Sequence, residues 1–278
     1  MATLRLALAQ INPTVGDLSH NSDVIIHHIE KAEQEGIDII AFPELAVTGY
    51  PPEDLLLKHN FIKDNMDAAE RIARSTGEIT AIFGYAERVE DKIYNSAAIV
   101  SNHEILDSYQ KMYLPNYGVF DEKRYFTEGS DVPVYDLHHV RFGVNVCEDI
   151  WFSPGPSDIQ SDNGASLIIN INGSPFNLGK RSQREKVLIE RAKSNGVFIA
   201  YINMVGGQDE LVFDGGSLIV DPEGNILMRA NQFEENVYIY EIDLPTYKPS
   251  TTQDSVDEIK KVILPGIIKE SYSNIPLT

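Results

Sequence analysis

Short apolar runs separated by polar turns recur along this chain, and their period switches between two and about 3.6 residues. Residues 4–10 alternate as a strand does, and Asn12-Pro13 and Gly16-Asp17 turn the chain. Asn21 or Ser22 is placed to cap a helix on which Ile25, Ile26, Ile29 and Ala32 share one face, and Gly36 ends it. Residues 37–42 then read as a short buried strand, and this strand–helix–strand opening favours parallel pairing in an α/β layer. A second helix is predicted over 53–75, between Pro51-Pro52 and Gly77. Strands are predicted over 79–84, 94–100 and 105–109, with polar turns at 87–92 and 101–103. Residues 111–129 read as a long loop rich in aromatics. Further strands are predicted over 140–146, 167–171, 198–202, 217–220, 226–229 and 237–242. A helix over 184–195 stops at Gly196, and Asp221-Pro222-Glu223-Gly224 makes a hairpin turn.

About eleven strands are too many for one doubly wound sheet; two mixed sheets facing each other, with helices outside, bury them better. After Tyr247-Lys248-Pro249 the chain turns polar, and a last helix is predicted over 256–272. The pattern therefore assigns 1–249 to one core domain and 250–278 to a linker with an appended element.

Composition narrows the function. With 23 Lys plus Arg against 42 Asp plus Glu, the net charge is −19, which excludes a cationic stripe for nucleic acid. No apolar run is long enough to span a bilayer, and the first residues lead straight into a strand rather than a signal peptide. The single cysteine permits no internal disulfide and suits a reducing, cytoplasmic setting.

That cysteine, Cys147, follows the apolar run Phe142-Gly143-Val144-Asn145-Val146 and precedes Glu148-Asp149, at a strand exit where α/β folds concentrate their chemistry. It reads equally as a small buried hydrophobe. A nucleophilic thiol needs a base or a nearby charge. His138 and His139 stand at the start of the same strand, roughly 26 Å away if it is extended, and no other histidine has a placement that suggests pairing. Two other ionisable residues share the strand-exit position: Glu44, after Ile39-Ile40-Ala41-Phe42-Pro43, and Lys111, after Ile105-Leu106-Asp107-Ser108-Tyr109-Gln110. Taken singly, these are a loop carboxylate and a surface cation. If the three exits converge, they form a base, an ammonium and a thiol suited to attack on an amide or nitrile carbon.

Phe42-Pro43-Glu44, Lys111-Met112-Tyr113-Leu114-Pro115 and Val146-Cys147-Glu148-Asp149, in that order, resemble the carbon–nitrogen hydrolase (nitrilase) superfamily over residues 3–245. Within it, Leu114-Pro115-Asn116-Tyr117-Gly118-Val119-Phe120-Asp121-Glu122-Lys123-Arg124-Tyr125-Phe126 and the stretches 44–56 and 205–217 resemble the amidase domain of glutamine-dependent NAD synthetases. The resemblance implies an α/β fold, a four-layer α-β-β-α sandwich with two mixed sheets. It also implies a catalytic triad of Glu44, Lys111 and Cys147, with Glu122 orienting the lysine and the Glu148 N–H joining the oxyanion hole. Tyr117, Glu148 and Ser174 would bind glutamine and Tyr50 would line the pocket, while Arg181, Arg184 and Arg191 read as a solvated or interface face. No metal or cofactor is implied for the amidase. ATP and deamido-NAD would belong to a synthetase domain in cis or trans, whose Ser-Gly-Gly-x-Asp-Ser loop does not occur here; Asp214-Gly215-Gly216-Ser217 has the wrong order. The chain is thus expected to be either an excised amidase half or a stand-alone domain, and a homo-oligomer. The alternatives are an amidase on another small ω-amide or N-carbamoyl compound, and an idle docking domain.

Overall fold

The computed structural model describes residues 1–247 and 259–265. In chain order the regular elements are β1 (Ala2–Gln10), α1 (Leu18–Gln34), β2 (Ile39–Ala41), α2 (His59–Arg74), β3 (Thr80–Val89), β4 (Lys92–Ser101), β5 (Glu104–Gln110), β6 (Val134–Leu137) and β7 (Val140–Val146). They continue with α3 (Pro156–Asp162), β8 (Leu167–Asn172), α4 (Lys180–Asn195), β9 (Phe198–Asn203), β10 (Val205–Gln208), β11 (Leu211–Asp214), β12 (Leu218–Val220), β13 (Ile226–Arg229), β14 (Asn236–Leu244) and β15 (Lys261–Leu264).

Two mixed sheets result, in the orders β14-β1-β2-β3-β4-β5 and β13-β12-β9-β8-β7-β6-β15, with β10 and β11 forming a separate hairpin. Both faces of each sheet are covered, so the strands are apolar on both sides rather than alternating with polar residues. In β1, Leu4, Leu6 and Leu8 enter a core shared with Phe142, Val144, Ile169 and Ile202 of the other sheet. Ala7 and Ala9 face the opposite way, against Ile25 and Ile29 of α1 and Ile72 of α2. On the far side, Ile168, Ile199 and Val220 pack on Leu188 and Ala192 of α4. The layers are therefore helix, sheet, sheet, helix, the sandwich expected from strand count and resemblance. Among the described residues no helix is long and apolar enough to cross a membrane.

Several elements differ from the pattern. Helix α1 begins earlier, with Asp17 Oδ1 accepting from His20 N–H. Asn21 is not the cap; its amide is spent on Thr14 and the Val47 carbonyl, tying the turn before α1 to the loop after β2. The helix expected over 53–75 is broken. Glu53–Leu57 is one 3₁₀ turn, extended Lys58 interrupts it, and α2 starts at His59. Three successive leucines cannot share a helical face: Leu56 is buried and Leu57 is 63% exposed. The tail differs most. Lys261–Leu264, expected as helix, pairs in parallel with β6, from Lys261 opposite Val134 to Leu264 opposite Leu137. β-Branched Val262 and Ile263 suit a pleated edge, and Pro265 cannot extend the ladder. Lys260 adds an ion pair to Asp107 of β5, which also accepts from Tyr135 O–H. The rest of the expected 256–272 helix lies outside the described residues, apart from 259, 260 and 265.

Candidate active site

The sheets bring together three strand exits. The turn after β2 carries Glu44 and is stitched to β3: Gly84 N–H donates to the Pro43 carbonyl, and Val47 N–H to that of Gly84. Gly84 is required there, because a Cβ would sit 2.1 Å from Leu45 N. Lys111 leaves β5 with its N–H on the Asn95 carbonyl of β4. Cys147 leaves β7 at a left-handed φ of 47°, a strained elbow that opens the 3₁₀ turn Cys147–Trp151.

Lys111 is fully buried between two carboxylates. Its Nζ donates to Glu44 Oε1 at 2.7 Å and to both oxygens of Glu122 at 2.8 Å. Asn95 Nδ2 donates to the same Glu44 oxygen at 2.7 Å, and Gly173 N–H to its Oε2 at 2.7 Å. Tyr50, buried, donates to Glu122 Oε1 at 3.0 Å. Its ring packs beneath Gly173, where a Cβ would meet it at 2.9 Å. A cleft of about 120 Å³ reaches Glu122 and Tyr50 from the surface between Pro52, Phe120 and Tyr125.

The charges act on one another. Burial pushes the Cys147 thiol well above its ordinary range; Glu44 adds to the rise and Lys111 opposes it, so the resting sulfur is protonated. Burial works against the Lys111 ammonium, but Glu122, Glu44 and Cys147 together hold its pKa well above the usual lysine value. Burial pushes Glu122 up to about 7, with Lys111 pulling it down and Glu44 raising it. Asp149 locks the sulfur's turn to the lysine's exit. Its Oδ1 accepts from the N–H groups of Met112 and Tyr113, and its Oδ2 from Val146 N–H and Tyr109 O–H.

The residues expected to bind substrate differ in exposure. Tyr117, 56% exposed, donates to Glu148 Oε1 at 2.8 Å at the rim. Ser174 is buried, its N–H held by Asn203 Oδ1 at 2.9 Å. The three arginines do not form one solvated face. Arg181 is exposed and pairs with Glu185. Arg191 donates to the Ile150 and Trp151 carbonyls. Arg184 is 4% exposed and reaches Ser174 and Asp214, so for it the solvated reading is corrected. Lys180, which sequence reasoning missed, lies with Nζ 4.3 Å from the centre of the Trp151 ring. It is half-buried: burial and Arg184 lower its pKa, while Cys147 and Glu148 raise it. Among the described residues, no three His, Cys, Asp or Glu side chains gather as a metal site.

The carbon-nitrogen hydrolase profile matches residues 5–250. This chain belongs to the carbon-nitrogen hydrolase family. Glutamine-dependent NAD(+) synthetases of Thermotoga maritima and Aquifex aeolicus are 43% and 42% identical to it, over 88% and 87% of this chain but 43% and 42% of theirs. The solved NAD+ synthetase of Acinetobacter baumannii superposes with a TM-score of 0.84 at 38% identity, covering 90% of this chain and 48% of that one. The chain thus spans less than half the length of these relatives. A nitrilase-superfamily amidase of Nesterenkonia superposes with a TM-score of 0.77 at 26% identity, covering 87% and 91%. A mutant of that amidase carries the acetamide moiety of fluoroacetamide covalently added at its active-site cysteine.

Proposed function

We propose that this hydrolase cleaves the side-chain amide of glutamine through a thioester on Cys147. The observation that carries the reading is a buried ammonium clamped by two buried carboxylates whose charges act on the only thiol in the chain. Because the thiol rests protonated, it needs a base as substrate arrives, and Glu44 has that role. The sulfur attacks the amide carbon, and Lys111 with the Glu148 N–H stabilises the oxyanion. Glu44 returns the proton to the leaving ammonia, then activates the water that releases glutamate. Glu122 and Asn95 hold Lys111 and Glu44 in place.

Glutamine's zwitterionic end needs one group of each sign. Glu148 at the rim, oriented by Tyr117, receives the ammonium; Lys180, held over Trp151, receives the carboxylate, and the Ser174 hydroxyl supplies a further polar contact. The relatives' names support glutamine as substrate. They also support use of the released ammonia in NAD(+) synthesis. On this reading a synthetase domain, in cis or in trans, receives the ammonia and is the part that consumes ATP and deamido-NAD. The amidase step itself requires no cofactor. The core 1–249 is the hydrolase unit, and a single unprotected thiol suits a reducing cytoplasm.

A second reading, an amidase for simpler amides, is favoured by the superposition on the Nesterenkonia amidase. Ammonia release from glutamine, acetamide and an N-carbamoyl amino acid separates the two. Glutamine should be preferred and Cys147→Ala should be silent on all three. Preference for acetamide, or turnover by Cys147→Ala, refutes the proposal.

A further inference from the structure

Arg184 sits in the second turn of α4, shortly after the loop that carries Ser174, and is buried, close enough to Lys180 for its charge to lower that lysine's pKa. Its four hydrogen bonds go to one turn and one carboxylate. Nη2 donates to the carbonyls of Ser174 and Pro175, each at 2.8 Å, and Nε donates to Ser174 Oγ at 3.2 Å. Nη1 donates to Asp214 Oδ1 at 2.7 Å, and the other Asp214 oxygen accepts from Gln232 at 2.7 Å. Asn203 grips the same turn from the sheet, accepting from Ser174 N–H at 2.9 Å and donating to the Ser174 carbonyl at 3.1 Å. The next residue upstream, Gly173, gives its N–H to Glu44.

A buried guanidinium is costly to desolvate, and apolar packing of α4 would hold the fold at less expense. Here the charge is aimed at backbone oxygens of a turn that borders both substrate and base. We propose that Arg184, locked by Asp214, is a positioning residue: its planar fork fixes the Gly173–Ser174–Pro175 turn, and with it the hydroxyl that meets substrate. The inference rests on the proposed glutamine site. A lysine at 184 keeps the charge but cannot hold two carbonyls, a hydroxyl and a carboxylate together. The Gly173 amide is additionally held by Glu44 and the Tyr50 ring, so the base is disturbed less than Ser174.

The test is steady-state glutamine hydrolysis by wild type, Arg184→Lys and Asp214→Asn, with the rate of Cys147 alkylation by iodoacetamide as a second readout. In Arg184→Lys, KM should rise about tenfold or more while kcat changes by less than about threefold, the pattern of lost substrate binding. Alkylation, which needs no Ser174, should stay within about twofold of wild type. Asp214→Asn, which loosens the lock but keeps the fork, should raise KM less and in the same direction. Unchanged KM in both variants overturns the inference. So does a parallel fall of kcat, alkylation rate and melting temperature, which would mark Arg184 as structural only. Should Arg184→Lys not fold, the Asp214→Asn KM decides. Wild type without glutamine turnover sinks the glutamine reading and this inference with it; turnover with unaltered KM sinks only the latter.

Discussion

Replacing Lys111 by methionine removes the ammonium and leaves Glu44, fully buried, next to Glu122, 5% exposed. Both carboxylates lie within 2.8 Å of the Nζ that would be lost. Breaking a buried ion pair by deleting one partner typically costs about 3–5 kcal/mol, because an uncompensated charge stays behind. Here the cost should depend on pH. Glu122 already titrates near 7 with the ammonium present, so without it the carboxyl moves higher still. A carboxyl whose folded pKa lies above its unfolded value binds more protons when folded, so stability is kept at low pH and lost as pH rises. Urea unfolding followed by far-UV circular dichroism should therefore show Lys111→Met close to wild type near pH 5.5 and about 3 kcal/mol or more below it near pH 8.5. Adding Glu122→Gln should restore about 2 kcal/mol at pH 8.5, a coupling expected of residues in direct contact. Glutamine turnover should fall by about 10²–10³, the usual cost of losing one oxyanion donor, and the second substitution should not restore it. Equal destabilisation at both pH values would refute the reasoning that the Lys111 ammonium opposes the burial-driven rise of the Glu122 pKa.

Glu44→Gln preserves the shape of the base but removes its proton affinity; alkylation of Cys147 at pH 7.5 should slow by about 10²-fold or more, and an unchanged rate would reassign the base. The wild-type thiol, held above its ordinary range, should alkylate faster with each step from pH 6 to pH 9. A plateau beginning near pH 6 would mean a preformed thiolate–ammonium pair instead.

The parts of this site that could be read from the sequence share one property. Glu44 and Cys147 stand at the end of apolar runs, and Lys111 follows a run that begins Ile105-Leu106 and then mixes polar residues with Tyr109, so each run announces a strand exit. Glu122 and Tyr117 sit in an aperiodic loop and were reachable only through resemblance. Asn95 is one polar residue inside β4, and nothing local tells a ligand of Glu44 from a surface amide. Arg184 and Lys180 belong to the Lys180–Asn195 helix, whose charges surround its whole circumference, so the buried cation looks like its exposed neighbour Arg181. Among elements, β10 is masked by Gly206-Gly207, β6 is only four residues long, and the apolar spacing near 261–264 fits a helix as well as a strand. Long-range pairing with β6 decides that last choice, and no local window contains it.

The origin of the groups proposed as catalytic has a consequence for assembly. Glu44 and Lys111 hang from the sheet built on β1 to β5, whereas Cys147 and Gly173 hang from the one built on β7 and β8. Neither half alone holds a reactive constellation. An intermediate with every helix and strand formed, but with its halves unseated, would be chemically silent. Turnover therefore reports mating of the two β layers more stringently than any spectroscopic count of secondary structure.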